Sequence, residues 1–414
     1  MDEREHTPWQ GGPWERGEHL PPPPRVDIPR PLPPVLRPKR RSRRLHWAPP
    51  LHWPLFLGLF LLCCLGVLLQ WRGVHIPGFS GDVPEPPSIE EPYQPEQLNT
   101  TPPHIPQAPT DTGVTVEFAP AQGEPLSYRE IYDTAHPCMV SIGCLKNGVA
   151  HSGTGIILTD DGHILTNAHV VANGREVMVY LHDNRAFPAA LVGFAPEEDL
   201  AVLKVEAEGL TPAVFGDSHL LHIGDPVAAL GDSLGYRSTL SSGIVSALDR
   251  ELELFGDPMV LIQTNAAINS GNSGGALLNE YGQVVGVTSV KIVARDGSAE
   301  AVGFAIPSRR VRYVVNTLMA GEPVRSGFFG LTVLTAGMEG GGLEILEVAP
   351  WSDGASRGLQ AGDVILSADG LPVNDVTDLA RVRLDRGPGD PVELVCRRGD
   401  REFSLTLLLA DRPR

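Results

Sequence analysis

Gln263-Thr264-Asn265-Ala266-Ala267-Ile268-Asn269-Ser270-Gly271-Asn272-Ser273-Gly274-Gly275 is the stretch whose reading decides the fold. Its first half alternates small apolar and polar residues. Its second half is a glycine-rich loop around one serine. Glycines beside Ser273 let the backbone turn tightly, so the amides of Gly271, Asn272 and Ser273 face one point. Such amides stabilise a developing oxyanion, at about 3 kcal/mol for each donor. A phosphate cradle would need Gly-Lys-Ser/Thr after the loop, and none follows. A serine hydroxyl is a weak nucleophile until a base within hydrogen-bond reach takes its proton, and imidazole titrates in the right range. The base in turn needs a buried carboxylate to hold its tautomer.

Two segments upstream supply these groups. Thr166-Asn167-Ala168-His169-Val170-Val171 carries the imidazole, and Asp199-Leu200-Ala201-Val202-Leu203-Lys204-Val205 carries the carboxylate. Alone, each has a plainer reading: a structural histidine, a strand start, a loop. Around them recur short apolar runs with β-branched residues, at Met139–Gly143, Gly155–Leu158, Val177–Leu181, Ala201–Val205 and Val284–Thr288, separated by Gly, Asp and Asn. This texture predicts a many-stranded antiparallel barrel or sandwich. A long amphipathic helix is expected only at Ser308–Met319.

The chain has 414 residues, 39 prolines, 45 glycines, five cysteines and a formal charge of −17. The charge argues against nucleic acid as partner. Residues 1–50 read as a disordered Pro-rich tail ending in the basic cluster Arg37, Lys39, Arg40, Arg41, Arg43 and Arg44. Leu51–Trp71 holds no Asp, Glu, Lys or Arg, and its 21 positions are long enough to cross a bilayer as a transmembrane anchor; a cleaved signal peptide is the rival reading, disfavoured by the long leading segment and the lack of a small-x-small cleavage site. Residues 72–126 read as a Pro-rich acidic linker; from 73 to 127 there are eight acidic residues and no Lys or Arg. The basic side is therefore cytoplasmic and the rest extracytoplasmic. A folded unit spans 127–320 and a second 326–410. Cys138 and Cys144, six apart on one strand, lie about 20 Å apart, too far to bridge. The histidine spacings support no metal site, and no cofactor is expected.

With these motifs in view, the chain resembles the HtrA (DegP/DegS-like) family of trypsin-like serine proteases. Thr166–Val171, Asp199–Lys204, Gln263–Gly275, Ser242–Leu248 and Gly303–Pro307 match its segments, with Asn265 in place of the usual Asp. The resemblance covers roughly residues 127–410. It implies a chymotrypsin-like protease domain of two six-stranded antiparallel barrels, with His169 and Asp199 from the first and Ser273 from the second. Gly358–Ile365 and Asp369–Val373 resemble the middle of a PDZ domain, and Ser326–Leu331 its carboxylate-binding loop. Phe328, Phe329, Gly330 and Leu331 would then take a peptide C-terminus, with the peptide adding as a strand to an open edge.

Further expectations follow from the resemblance. Proteases of this architecture that cut after Lys or Arg place an acid six residues before the nucleophile. Ala267 stands there, and Ile268, Phe304 and Ile306 would wall an apolar pocket for Val, Ala or Leu. Activation loops map to Asp232–Thr239, Asp249–Val260 and Lys291–Val302, the second sensing PDZ occupancy. A homotrimer would form through Phe118, Tyr128 and Tyr132. The implied protein is a serine endopeptidase of the bacterial inner membrane, facing the periplasm. It would act on unfolded or regulatory envelope proteins in stress response or quality control. The rival functions are a non-proteolytic PDZ-based chaperone or sensor, and a membrane scaffold built on the cytoplasmic tail.

Overall fold

Alternating apolar residues and two-residue turns decide the first layer of structure. Met139–Lys146 (β1) and Val149–Ile157 (β2) are joined by Asn147 and Gly148, both at positive φ. That is the turn geometry favoured by a tight hairpin. The structure is a computed structural model describing residues 100–233, 236–254, 257–269, 271–291, 302–334 and 341–411. The tail and the expected membrane anchor at 51–71 lie outside the described residues. Among the described residues no helix is long and apolar enough to cross a membrane.

Five more strands complete the first sheet: His163–Thr166 (β3), Glu176–Tyr180 (β4), Ala186–Pro188 (β5), Ala190–Ala195 (β6) and Leu200–Lys204 (β7). Their order is β5-β4-β1-β2-β3-β7-β6, antiparallel throughout. This departs from the expected six-stranded barrel: seven strands pair, and β5 and β6 end the sheet. Ile142, Ile157, Ile164, Val179 and Leu203 fill its core.

The second unit is a closed barrel of Pro226–Ser233 (β8), Tyr236–Leu254 (β9), Asp257–Thr264 (β10), Ala276–Leu278 (β11), Val284–Lys291 (β12) and Gly303–Pro307 (β13). Val227, Ala229, Val245, Ile262, Leu277, Val285 and Ala305 pack together inside it. A larger cluster joins the two units. It takes Ile156, Leu165 and Val202 from the first, Leu230, Leu261 and Val287 from the second, and Val311, Val314 and Val315 from the expected helix at Ser308–Met319.

Tyr128–Ala135 forms a helix (α1) that the sequence reading passed over. Ser127 caps it, in a reciprocal capping box with Glu130. The spacer reading does not hold for residues 101–126. Val116 is buried, its N–H donates to Asn316 Oδ1 at 2.7 Å, and Phe118 pairs with Phe215. This segment packs because Val114, Val116 and Phe118 alternate and find apolar surface, despite the surrounding prolines.

The C-terminal unit has Leu331–Val333 (β14), Leu343–Val348 (β15), Val364–Ala368 (β16), Leu371–Pro372 (β17), Pro391–Arg398 (β18) and Arg401–Leu408 (β19). The order is β14-β15-β16-β18-β19, with β17 on β16, so β14 is an edge strand. The helix Val376–Val382 (α2) begins at Asp375, another capping box.

Candidate active site

The imidazole is positioned by a short helical turn, Ala168–Val171, with Asn167 at its start. Asp199 follows the 3-10 turn Pro196–Glu198 and takes a left-handed conformation, φ 48° and ψ 39°. Such a conformation in a non-glycine residue costs energy and persists only where its surroundings enforce it. Here Asn167 Nδ2 donates to Asp199 O at 2.8 Å, across 32 residues of sequence.

The Asp199 carboxylate is fully buried and well satisfied. His169 Nδ1 lies 2.8 and 2.9 Å from its two oxygens, and the His169 main-chain N–H donates at 3.0 Å. Ser289 Oγ donates to the second oxygen at 2.6 Å. A carboxylate only accepts, so the imidazole proton sits on Nδ1 and Nε2 offers a lone pair. Ser289 escaped the sequence reading: it follows the run Val284–Thr288 with no motif of its own, and only barrel packing brings it to Asp199.

Ser273 Oγ donates to Ser289 O at 3.0 Å, and no hydrogen bond joins it to His169. Ser289 thus holds both ends of the cluster, the carboxylate through its hydroxyl and the nucleophile through its carbonyl. The loop around Ser273 is tied to the first sheet. Thr154 N–H donates to Ser273 O at 2.9 Å, and Thr154 Oγ1 to Gly271 O at 2.7 Å. Thr288 Oγ1 donates to Asn272 O at 2.6 Å.

The three amides expected to share an oxyanion do not stand alike. Asn272 N–H donates to Asn269 O at 3.0 Å, closing a turn in which Gly271 has φ 101°. Asn272 is thereby withdrawn, while the N–H groups of Gly271 and Ser273 have no acceptor among the described residues.

The expected pocket residues do not all meet. Ile268 is buried against Gly303, where an added Cβ would fall 2.7 Å from Ile268 Cδ1. Ala267 is exposed, and its carbonyl accepts from Ser241 Oγ at 2.8 Å. Phe304 and Ile306 project from the other face of β13 into the cluster shared with the helix Ser308–Met319. Residues alternate along a strand, so Gly303 and Ala305 face Ile268 and their neighbours cannot. Asn265 Oδ1 accepts from Ile244 N–H at 2.7 Å, as a carboxylate would, without a group that titrates.

In the C-terminal unit, Phe329 is buried in the core and Gly330 has φ 66°. An added Cβ at Gly330 would meet Ser352 at 2.6 Å. The N–H groups of Phe329 and Gly330 have no acceptor among the described residues. Phe328 is placed differently. Both its main-chain groups pair with Ala410, its ring lies under Arg383, and it lines a cavity of about 230 Å³ with Glu198, Arg310 and Leu384. It faces the junction with the barrel, away from the expected carboxylate site.

Of the expected activation loops, 234–235, 255–256 and 292–301 lie outside the described residues. Asp249 forms an ion pair with Arg381 of α2 at 2.6 Å, and Val260 packs on Ala380 and Leu384. Of the three aromatic residues expected at an assembly edge, Tyr128 is 41% exposed and Tyr132 stacks on His136. Phe118 is partly buried, with Arg312 over its ring at 4.3 Å.

Comparison with known proteins agrees with this architecture. A trypsin-like peptidase domain matches residues 153–287 and a PDZ domain residues 328–409. A putative serine protease HhoA of Synechocystis is 33% identical over 346 residues, covering 78% of this chain and 86% of its own. Serine endoprotease DegS of Escherichia coli is 32% identical, over 72% of this chain and 90% of its own. A probable periplasmic serine endoprotease, DegP-like, from Halomonas elongata is 38% identical; the chain spans about half its length, 56%. The solved structure of HtrA-type protease AlgW with tripeptide superposes with a TM-score of 0.55 at 32% identity, over 70% of this chain and 98% of that one.

Proposed function

This chain belongs to the HtrA family of serine endopeptidases, and we propose that Ser273 is its nucleophile, His169 its general base and acid, and Asp199 the carboxylate that orients the imidazole. The observation that carries this reading is the buried Asp199 carboxylate holding His169 Nδ1, with Ser289 linking that carboxylate to Ser273. A rotation about the Ser273 Cα–Cβ bond redirects the hydroxyl from Ser289 O toward His169 Nε2. Nε2 takes the proton as Oγ adds to the scissile carbonyl carbon. The negative charge on the carbonyl oxygen is met by the N–H groups of Gly271 and Ser273. Collapse breaks the C–N bond, and the imidazolium returns its proton to the leaving amine. Water then repeats the sequence on the acyl-enzyme: His169 takes its proton, hydroxide adds, and Ser273 Oγ leaves with that proton.

Ile268, packed against Gly303, favours a small or medium apolar residue such as Val, Ala or Leu before the cleaved bond. Ala267 gives a Lys or Arg side chain no countercharge there. The uncharged run at 51–71 behind its basic cluster supports a single-pass anchor, N-terminus inside, with both folded units on the periplasmic side. Relatives named as periplasmic endoproteases agree with this placement. Unfolded or regulatory envelope proteins are then the substrates. A free peptide C-terminus adds along β14, with its carboxylate at the Phe329–Leu331 amides. The Asp249–Arg381 pair passes occupancy to the barrel loop. A homotrimer formed through the exposed Tyr128 edge completes the reading.

The test is labelling of the full-length protein by a fluorophosphonate probe, together with casein degradation. Labelling and degradation that vanish in Ser273→Ala are expected. Degradation that persists in that variant would overturn the assignment.

A further inference from the structure

We propose that Lys146 selects substrates with an acidic residue at the first or second position after the cleaved bond. The inference rests on the proteolytic reading above and extends it to the leaving-group side.

The leaving amine receives its proton from His169 Nε2, so the residues following the cleaved bond must lie over the imidazole and the surface beyond it. That surface is built by β1, β2 and the turn Ala168–Val171. Ile142 and Cys144, alternate residues of β1, are buried against Val170 and Val171. Lys146 is the next on that face, at the end of the strand. Its ammonium donates to the main-chain oxygen of His169 at 2.5 Å. On the neighbouring strand Val149 opposes Lys146 and His151 opposes Cys144. Gly153 abuts the same turn, with an added Cβ 2.6 Å from Val170 Cγ1. Val149 is 58% exposed and His151 is exposed, so the platform beside His169 is open to a bound chain.

The ammonium there is under-used. It carries three donors, and one goes to His169 O. Among the described residues it forms no ion pair, although the chain carries 50 acidic residues against 33 basic ones. Burial lowers its pKa, with Cys144 and Asp199 working the other way. A half-buried cation with no ion-pair partner among the described residues, held only by the more distant charge of Asp199, is relieved by any carboxylate brought to it, and a substrate approaching His169 passes that point.

The experiment is a one-pot competition among synthetic decapeptides, digested by the full-length protein with the Ser273→Ala variant as control. Each peptide has Val before the cleaved bond and Asp, Asn, Glu, Gln or Lys at one of the two positions after it. The expected result is about ten-fold higher kcat/KM for the acidic member of each acid–amide pair, the size of one partly buried charge pair. Lys146→Gln should bring the ratio near one, Lys146→Arg should keep it, and Lys146→Glu should turn the preference toward Lys. Ser273-dependent cleavage with equal rates for acid and amide in the wild type overturns this inference and leaves the proteolytic reading standing. So does a preference that survives in Lys146→Gln. Cleavage of no peptide by the wild type, or equal cleavage by Ser273→Ala, removes both.

Discussion

A single carboxylate carries most of the order in the site. Asp199 accepts from the His169 ring, the His169 main chain and Ser289, and any change to it alters which His169 nitrogen carries the proton. Asp199→Asn should lower kcat about 10⁴-fold with little change in KM, because an amide N–H facing Nδ1 puts the imidazole proton on the wrong nitrogen. Ser289→Ala should cost less, about 10-fold, since His169 still holds the carboxylate. Steady-state rates on one apolar peptide check both. A second residue controls stability. Burial, then Arg309, pushes the His219 pKa down to about 4, with Arg381 adding to the shift and Asp217 and Asp385 opposing it. Its Nε2 is buried without a partner among the described residues. The folded pKa lies below the unfolded value of 6.5, so the unfolded chain takes up the proton first. The stability it contributes is complete above pH 6.5 and is lost as pH falls toward about 4, by about 3 kcal/mol. Melting temperatures at pH 7 and 4.5 should fall further in the wild type than in His219→Gln.

At the scale of elements, the serine loop is a bridge between two sheets. Gly274 has φ 83°, and an added Cβ would sit 2.2 Å from Thr154 O and 2.5 Å from Thr166 Oγ1. Both are held in place, since Thr166 Oγ1 itself donates to Thr154 O at 2.7 Å. Gly274→Ala should therefore displace the loop from β2 and β3, removing fluorophosphonate labelling. Thermal unfolding should show a loss of more than about 2 kcal/mol, from strain at positive φ and a clash with rigid backbone. A variant that labels normally would mean that the loop position is not set by these contacts.

Across the whole molecule, charged groups join the barrel to the C-terminal unit. Arg310 is buried and forks onto both oxygens of Glu198, beside Asp199. Its other donors reach Leu384 O at 3.1 Å and Ser326 Oγ at 2.6 Å. Arg310→Met leaves the half-buried Glu198 without its countercharge and should cost about 3 kcal/mol, much of it recovered by adding Glu198→Leu. Denaturant titration of the single and double variants checks this. The Asp249–Arg381 pair spans the same junction. If it passes peptide occupancy to the barrel, Asp249→Ala and Arg381→Ala should each shrink the rate increase produced by a peptide with a free apolar C-terminus. A coupling of about 1–3 kcal/mol makes that loss 5-fold or more. Equal stimulation in wild type and variants would show that the coupling runs elsewhere.

What the sequence determined by itself is local. Motifs around His169, Asp199 and Ser273 pointed to serine-protease chemistry and alternating β-branched runs pointed to strands, since each is set by a residue and its near neighbours. What only the tertiary structure decided depends on which face of a strand is turned inward and on what arrives from far along the chain. Phe304, Ile306 and Phe328 carry the right side chains on the wrong faces, a parity no isolated strand reveals. Ser289, Thr154 and the Arg310–Glu198 pair have no signature, because their partners lie 16 to 117 residues away. The Pro-rich segment before Ser127 packs for the same reason: the apolar surface that receives Val116 and Phe118 exists only once the distant strands have closed.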